Sequence, residues 1–371
     1  MIKIMNKQKF FLPDPQAKGN TLSLPGRASC DRLFAMHSRY DCLVLFSGGL
    51  DSILAAKVLQ KQGLRPLGLH FVSPFFGQPD KIASWQEMYG LDILAADISE
   101  DFVRLVTQGP SWGWGRHLNP CVDCKILMLQ KAKAMLPKFQ ATFLASGEVL
   151  GQRPMSQRRD ALNIILREAG VKEILIRPLC GKLLSPTRIE EQGLVDRAQL
   201  LDIKGRGRKE QLRLAHEFNL PEIPTPAGGC LLTDPEYVKR FSPLLERLTP
   251  PKAEDFQLAT VGRQYWANGY WLVIGRNKAD NEGLASLVQA DDLLFKLTSL
   301  PGPLALGRQA AEPWPEEVIR DAARCMALFS SKAARSEEPV TVRVGTSRTD
   351  IREFTVHPQD SPQLQWEEPG S

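Results

Sequence analysis

The first sustained hydrophobic pattern begins at Asp41. Cys42-Leu43-Val44-Leu45-Phe46 is a short apolar run, a glycine pair follows, and Ile53 to Gln62 carries apolar residues at helical spacing up to Gly63. Such a run predicts a strand, and the glycine past the periodic stretch predicts the helix end. Strand signals recur at Leu67–Val72, Leu91–Asp97 and Ala141–Ser146, the last after a helical stretch from Lys125 to Leu136. Strands alternating with helices predict an α/β fold built on a doubly wound parallel sheet. Before Asp41, scattered Pro, Gly and charge without a period predict an extension over residues 1–40 that is partly ordered at best. Lys204 to Phe218 predicts a basic helix, broken by the Pro-rich stretch Leu220 to Pro226. A boundary is expected near Thr249-Pro250-Pro251, closing a domain over 41–249. Beyond it, Tyr270–Ile274 and Val340–Val344 predict strands flanking a helical middle, a smaller α+β domain over 250–371.

Length agrees with this division, since 371 residues exceed one ordinary domain. No apolar run is long enough for a membrane span and no signal-peptide pattern opens the chain, so a cytoplasmic protein without a membrane partner is expected. Seven cysteines at irregular spacing do not form a disulfide framework and read as ligands, nucleophiles or core residues. The formal charge of +5 is carried by residues 1–40, with seven Lys or Arg against two Asp, so only local clusters can argue for a nucleic-acid partner.

Ser47-Gly48-Gly49-Leu50-Asp51-Ser52 lies between a predicted strand and a predicted helix, where backbone N–H groups and the helix dipole hold an anion. The loop lacks the Lys-Ser/Thr ending of a Walker sequence, so it suits a pyrophosphate that leaves rather than a γ-phosphoryl group that is transferred. Asn119-Pro120-Cys121-Val122-Asp123-Cys124 opens a predicted helix, where the dipole favours thiolate. Cys230 follows a Gly-Gly turn far downstream. Cys121, Cys124 and Cys230 can ligate a metal cluster with one iron left open to sulfide. Zinc with His117 as fourth ligand is a competing reading, and a reactive Cys121–Cys230 pair that carries and resolves a persulfide is another. Lys204, Arg206, Arg208, Lys209 and Arg213 form a basic cluster suited to RNA phosphates. His70 and Asp97 follow strand ends on the presumed nucleotide side, and His70 is a candidate for nucleotide binding.

The hexapeptide resembles the loop of the PP-loop ATP pyrophosphatase superfamily. That resemblance implies ATP as cofactor, phosphate held by Ser47, Gly48, Gly49 and Ser52, and Asp51 helping to hold Mg2+. Gly147-Glu148-Val149-Leu150-Gly151-Gln152, Met155-Ser156-Gln157 and Leu175-Ile176-Arg177-Pro178-Leu179 are similar to the matching segment of the tRNA 4-thiouridine synthases. The Asn-Pro-Cys-x-x-Cys stretch and the late Gly-Cys turn resemble the tRNA 2-thiouridylases. Together these matches span about residues 41–245 and imply that a uracil carbonyl oxygen is adenylated and displaced by sulfur, with Asp51, Cys121 and Cys230 as catalytic residues. The stretch before Asp41 is short for a 4-thiouridine synthase, and no rhodanese-like cysteine loop follows. The three-cysteine set is instead similar to the iron–sulfur-dependent thiouridine synthases, which implies a [4Fe–4S] cluster on Cys121, Cys124 and Cys230. Val273-Ile274-Gly275-Arg276-Asn277, with Asn281-Glu282, Asp291-Asp292 and Pro301-Gly302-Pro303, resembles the RNA-binding module of the NFACT family over about residues 255–355, with Arg276 and Asn277 as RNA contacts. The expectation is an ATP-dependent tRNA sulfurtransferase making 4-thiouridine at tRNA position 8, supplied by inorganic sulfide or a cysteine desulfurase. The alternatives are 2-thiouridine at position 34, a PP-loop amide ligase or amidotransferase, and a non-catalytic RNA-binding factor.

Overall fold

The computed structural model describes residues 39–224, 229–298, 300–308, 313–346 and 351–370. All but the last two residues of the expected N-terminal extension lie outside them, as do Pro226 and Gly228. The described chain divides between Val238 and Lys239 into two units, inside a helix and ahead of the Pro250-Pro251 pair.

In the first unit the chain runs through β1 (Cys42–Leu45), α1 (Leu50–Lys61), β2 (Pro66–Val72), α2 (Ile82–Tyr89), β3 (Asp92–Asp97), α3 (Ser99–Gln108), α4 (Cys121–Met135), β4 (Phe143–Ser146), α5 (Arg159–Ala169), β5 (Leu175–Ile176), α6 (Arg188–Glu191) and α7 (Lys209–Glu217). The strands form one sheet in the order β3-β2-β1-β4-β5, every pair parallel. All four residues of β1 are buried, as are six of the seven of β2, which explains their unbroken apolar runs: both faces of a parallel sheet are covered. Ile53, Ala56 and Leu59 of α1 pack with Cys42, Val44 and Phe46. Its other side, Leu50, Leu54, Ala55 and Val58, packs with Leu214 and Ala215 of α7. Truncating the fully buried Leu54 to Ala would cost about 2–5 kcal/mol.

From β1 the chain winds outward to β2 and β3, then crosses back to place β4 on the other side of β1. The carboxyl ends of β1 and β4 therefore flank a topological switch point, where open α/β sheets bind ligands. The Ser47–Ser52 loop leaves β1 at this edge and the Gly147–Gln152 segment leaves β4 beside it. A Cβ at Gly147 would run into the Asp51 carbonyl, so the two loops touch.

The basic helix is shorter than expected, covering Lys209–Glu217 rather than Lys204–Phe218. Lys204 forms a bridge with Leu150, and the Gly205 N–H donates to the Leu150 carbonyl at 2.8 Å. That bond draws the chain to the loop after β4 and delays the helix.

The second unit contains the rest of α8 (Pro235–Arg247), then α9 (Ala253–Ala259), β6 (Arg263–Ala267), β7 (Tyr270–Ile274), α10 (Lys278–Ser286), β8 (Leu293–Leu297), β9 (Leu304–Arg308), α11 (Glu316–Leu328), β10 (Val340–Gly345) and β11 (Arg352–Val356). Its strands form an antiparallel sheet in the order β11-β10-β8-β9-β7-β6. Val318, Ile319, Ala322, Ala323 and Met326 of α11 join Leu272, Phe295 and Val342 of the sheet in one core. Asn268 and Gly269 both take positive φ, the backbone of a tight hairpin turn, and stack Trp266 on Trp271 at 5.1 Å across β6 and β7. The expected strands appear as β7 and β10, and the middle that read as helical also holds β8 and β9. No helix among the described residues is long and apolar enough to cross a membrane.

Candidate active site

Glycine is required at position 48 twice over: its φ is +77°, and a Cβ would run into the Trp85 ring of α2. The loop is braced by its own serines. The Ser52 hydroxyl donates to the Gly49 carbonyl at 2.7 Å and accepts the Ser47 N–H at 3.3 Å, while the Gly49 N–H reaches the Ser47 hydroxyl at 3.4 Å. Gly49 caps α1 in extended conformation without a side-chain hydrogen bond, so the first N–H groups of the helix keep the character of an anion site.

Asp51 lies in the first turn of α1. Its Oδ2 accepts from Gln152 Nε2 at 2.9 Å, whereas Oδ1 is buried and meets no partner. Burial raises its pKa above the ordinary carboxylate value, against the opposing pull of Gln152, Arg208, Gln211 and Arg153. An orphaned carboxylate oxygen beside the orphaned Gln152 Oε1 is a donor set that fits Mg2+, a hard cation taking oxygen ligands and keeping much of its water.

His70 lies inside β2, within the Leu67–Val72 strand signal rather than past a strand end, and is 3% exposed. Its Nδ1 pairs with the Phe46 carbonyl at 3.0 Å and its Nε2 accepts the Gln78 N–H at 2.8 Å. Those partners make Nδ1 the protonated nitrogen and leave neither free for a nucleotide. His70 instead steadies the end of β1 from which the phosphate loop springs. Asp97 ends β3 and accepts the Ser99 N–H at 2.8 Å, a local capping role.

Helix α4 begins at Cys121, four residues before the expected start, and places Cys121 and Cys124 one turn apart. Buried Asn119 donates to Cys121 Sγ at 3.1 Å. Cys230 precedes a short turn pinned by the Leu231 N–H to the Phe75 carbonyl at 2.8 Å. The three sulfurs converge: Cys121 and Cys230 both act electrostatically on Cys124, and Cys121 acts on Cys230. Burial pushes the Cys124 thiol up to about 12 and the Cys230 thiol up to about 11, opposite to the thiolate that a helix N-terminus is expected to favour at Cys124. A low-dielectric pocket of three thiols suits an iron–sulfur cluster in donor chemistry. Among the described residues, however, no three His, Cys, Asp or Glu side chains stand at ligand spacing, with or without His117. Arg153 links the two halves of the site, since it lies within electrostatic reach of both Asp51 and Cys230.

The basic cluster divides. Lys204, Arg206 and Lys209 are exposed, but Arg208 is half-buried and acts on Asp51, placing it with the phosphate loop. Arg213 is held at 3.0 Å by Glu210 and at 2.9 Å by Glu217. In the second unit, Arg276 pairs with Asp280 at 2.6 Å, and the Asn277 side chain caps α10 by accepting the Asp280 N–H at 2.9 Å. Both are committed to the helix start. The sequence offers Gln152 only as the end of the Gly147–Gln152 segment, and does not single out Arg153 or Gln211, nor Trp112 and Trp114, each 39% exposed on the loop leading to Cys121. The Asp123 carboxylate fixes that loop by accepting the Ser111 N–H at 2.9 Å and the Trp112 N–H at 3.1 Å. The Trp-Gly-Trp-Gly-Arg spelling was the available signal.

The chain thus has a parallel α/β unit with a Ser-Gly-Gly-x-Asp-Ser loop at its switch point and a separate antiparallel unit. Known families agree on both parts. Residues 38–185 match the family described as thiamine biosynthesis protein (ThiI), and residues 262–366 match the NFACT protein RNA binding domain. The two matches fall on different units of the chain, the first on the parallel sheet and the second on the antiparallel one. It is similar to a probable tRNA sulfurtransferase of Thermococcus kodakarensis, 24% identical over 193 residues that cover 49% of this chain and 44% of that protein. It is also similar to a tRNA-specific 2-thiouridylase MnmA of Nitratidesulfovibrio vulgaris, 33% identical over 90 residues covering 23% of this chain and 26% of that one. The chain thus spans less than half the length of either relative. Among solved structures, the U34-tRNA thiolase NcsA of Methanococcus maripaludis with its [4Fe-4S] cluster aligns at 16% identity and a TM-score of 0.29, covering 51% of this chain and 61% of that one.

Proposed function

We propose that this chain is an ATP-dependent tRNA sulfurtransferase that adenylates a uracil carbonyl oxygen and replaces it with sulfur, making 4-thiouridine at tRNA position 8. The reading is carried by the Ser47–Ser52 loop at the switch point of the parallel sheet, touching the Gly147–Gln152 segment that resembles the 4-thiouridine synthases, with the three thiols in the same unit. A carbonyl oxygen leaves poorly until it is adenylated, and AMP leaves readily. In this mechanism the loop N–H groups and the α1 dipole hold the phosphates, and Arg153 and Arg208 neutralise charge that grows on pyrophosphate as its bond to the α-phosphate breaks. Bound Mg2+ would be held by Asp51 and would shield the pyrophosphate. A [4Fe–4S] cluster on Cys121, Cys124 and Cys230 would supply an open iron able to present sulfide. Asn119 orients Cys121, and Trp112 and Trp114 offer stacking faces for unpaired bases beside it. The partners are tRNA and a sulfur donor, either inorganic sulfide or a cysteine desulfurase. The basic surface at Lys204, Arg206 and Lys209 suits the RNA backbone.

Mass spectrometry of tRNA nucleosides from cells with and without the gene tests this reading. Loss of 4-thiouridine is expected; loss of 2-thiouridine alone would move the reaction to position 34, and unchanged thionucleosides would end the proposal. At the loop, Asp51→Asn should lower tRNA-dependent AMP formation by orders of magnitude while circular dichroism stays unchanged. AMP formation at the parent rate would remove Asp51 from the site.

A further inference from the structure

Gln211 occupies a position that the packing suits to a hydrocarbon side chain. Gln211, Leu214, Ala215 and Phe218 recur at helical spacing on and just beyond α7, and Leu214 and Ala215 pack against α1. Gln211 shares that face and is 0% exposed; its carboxamide faces the Asp51 carboxylate and favours its charge, yet neither its oxygen nor its nitrogen closes to a full hydrogen bond. Buried amides are nearly always paired, and an unpaired one gives up its hydration without return. A leucine would pack there without that loss.

Two further orphans lie with it. Asp51 Oδ1 and Gln152 Oε1 are buried without partners, although the same two side chains are joined through Gln152 Nε2 and Asp51 Oδ2. The three residues come from separate segments: the first turn of α1, the loop after β4, and α7. Gln211 lies close enough to Asp51 to favour its carboxylate, as do Arg153 and Arg208. Three free acceptor oxygens suit a hard cation with its water shell. One amide donor and two guanidinium groups suit phosphate oxygens. A magnesium–pyrophosphate unit satisfies both sets at once.

We propose that Gln211, with Gln152, binds the magnesium–pyrophosphate leaving group, its oxygen accepting from a water on the cation and its nitrogen donating to a phosphate oxygen. The inference rests on the ATP-dependent reading above and assigns the inner wall of that site to residues outside the loop motif.

Calorimetric titration of the full chain with magnesium pyrophosphate tests it. Gln211→Leu should melt close to the parent temperature, because the loss of a poorly paired buried amide offsets the loss of its support for Asp51, yet bind magnesium pyrophosphate at least about tenfold more weakly. Gln211→Met, close in length and without the amide, should give the same loss and serves if the leucine variant does not fold. A folded variant of either kind with the parent's affinity would overturn the proposal and make Gln211 a packing residue. If the parent itself binds neither magnesium pyrophosphate nor magnesium ATP, the nucleotide reading fails, and this inference with it.

Discussion

At the scale of single residues, the site rests on groups whose burial opposes their charge. Burial, partly offset by the Phe46 carbonyl and Asp80, holds the His70 imidazole below its ordinary 6.5. As pH falls below about 6.5, the unfolded chain takes up a proton that the folded chain refuses, so the unfolded state binds more protons and stability declines. Above that pH His70 contributes in full. His70→Asn, which cannot titrate, should therefore show a flatter stability profile than the parent as pH falls below about 6.5, measured by urea denaturation. Equal slopes would mean that another group sets the acid response. The strand-to-helix setting of Ser47, Gly48, Gly49 and Asp51 is legible in the sequence because such a glycine loop can be read locally. The pairing of Gln152 with Asp51 and the burial of Gln211 near it are not, since Asp51 lies 101 and 160 residues away in the chain. The strand holding His70 is legible, but the partners of its ring, the Phe46 carbonyl and the Gln78 N–H, come from segments the local pattern does not connect.

At the scale of elements, the segments that resemble the 4-thiouridine synthases also brace the sheet edge beside the site. Glu148, just after β4, and Arg177, just after β5, form a buried ion pair at 3.0 Å, with the Ser146 hydroxyl donating to the same carboxylate oxygen at 3.0 Å. Burial works against the Glu148 carboxylate, but Arg177 and Lys125 outweigh it and leave its pKa below the ordinary value. Removing one partner of such a pair strands the other charge, so Arg177→Met should cost about 3–5 kcal/mol, read as a lowered denaturation midpoint. A double variant, Arg177→Met with Glu148→Leu, should recover much of that loss. If it recovers nothing, the pair is not what holds this edge. Elements with strong local patterns, β1 to β4 and α1, were readable, and so were β7 and β10. The β6 strand was marked by Asn268-Gly269, the commonest spelling of a two-residue hairpin, but Arg263-Gln264 at its start masked the apolar run. β8 and β9 lie within a stretch whose mixed spacing reads as helix, and only pairing with each other and with β7 and β10 makes them strands.

At the scale of the whole molecule, the two family matches fall on separate lengths of chain, the ThiI match ending at residue 185 and the NFACT match beginning at 262, so the proposed chemistry and the proposed RNA grip are separable. The phosphate loop, the three thiols and Gln211 all belong to the first unit, whose sheet, α1 and α7 form their own cores. The second unit's core is built from its own sheet and α11. A chain ending at Thr249 keeps every residue of the nucleotide site and should bind magnesium ATP as the parent does. It loses the RNA-binding match entirely, so its tRNA affinity should fall. Each phosphate contact contributes a slope of ~0.7 to ~0.9 in the logarithm of affinity against the logarithm of salt, so the slope should flatten by at least one such step. Filter binding across a salt series measures both quantities. A truncated protein that binds magnesium ATP normally and tRNA with unchanged affinity and slope would place the RNA contacts in the first unit, at Lys204, Arg206, Lys209 and the Trp112–Trp114 loop. In that case the second module would serve some other purpose than holding the substrate.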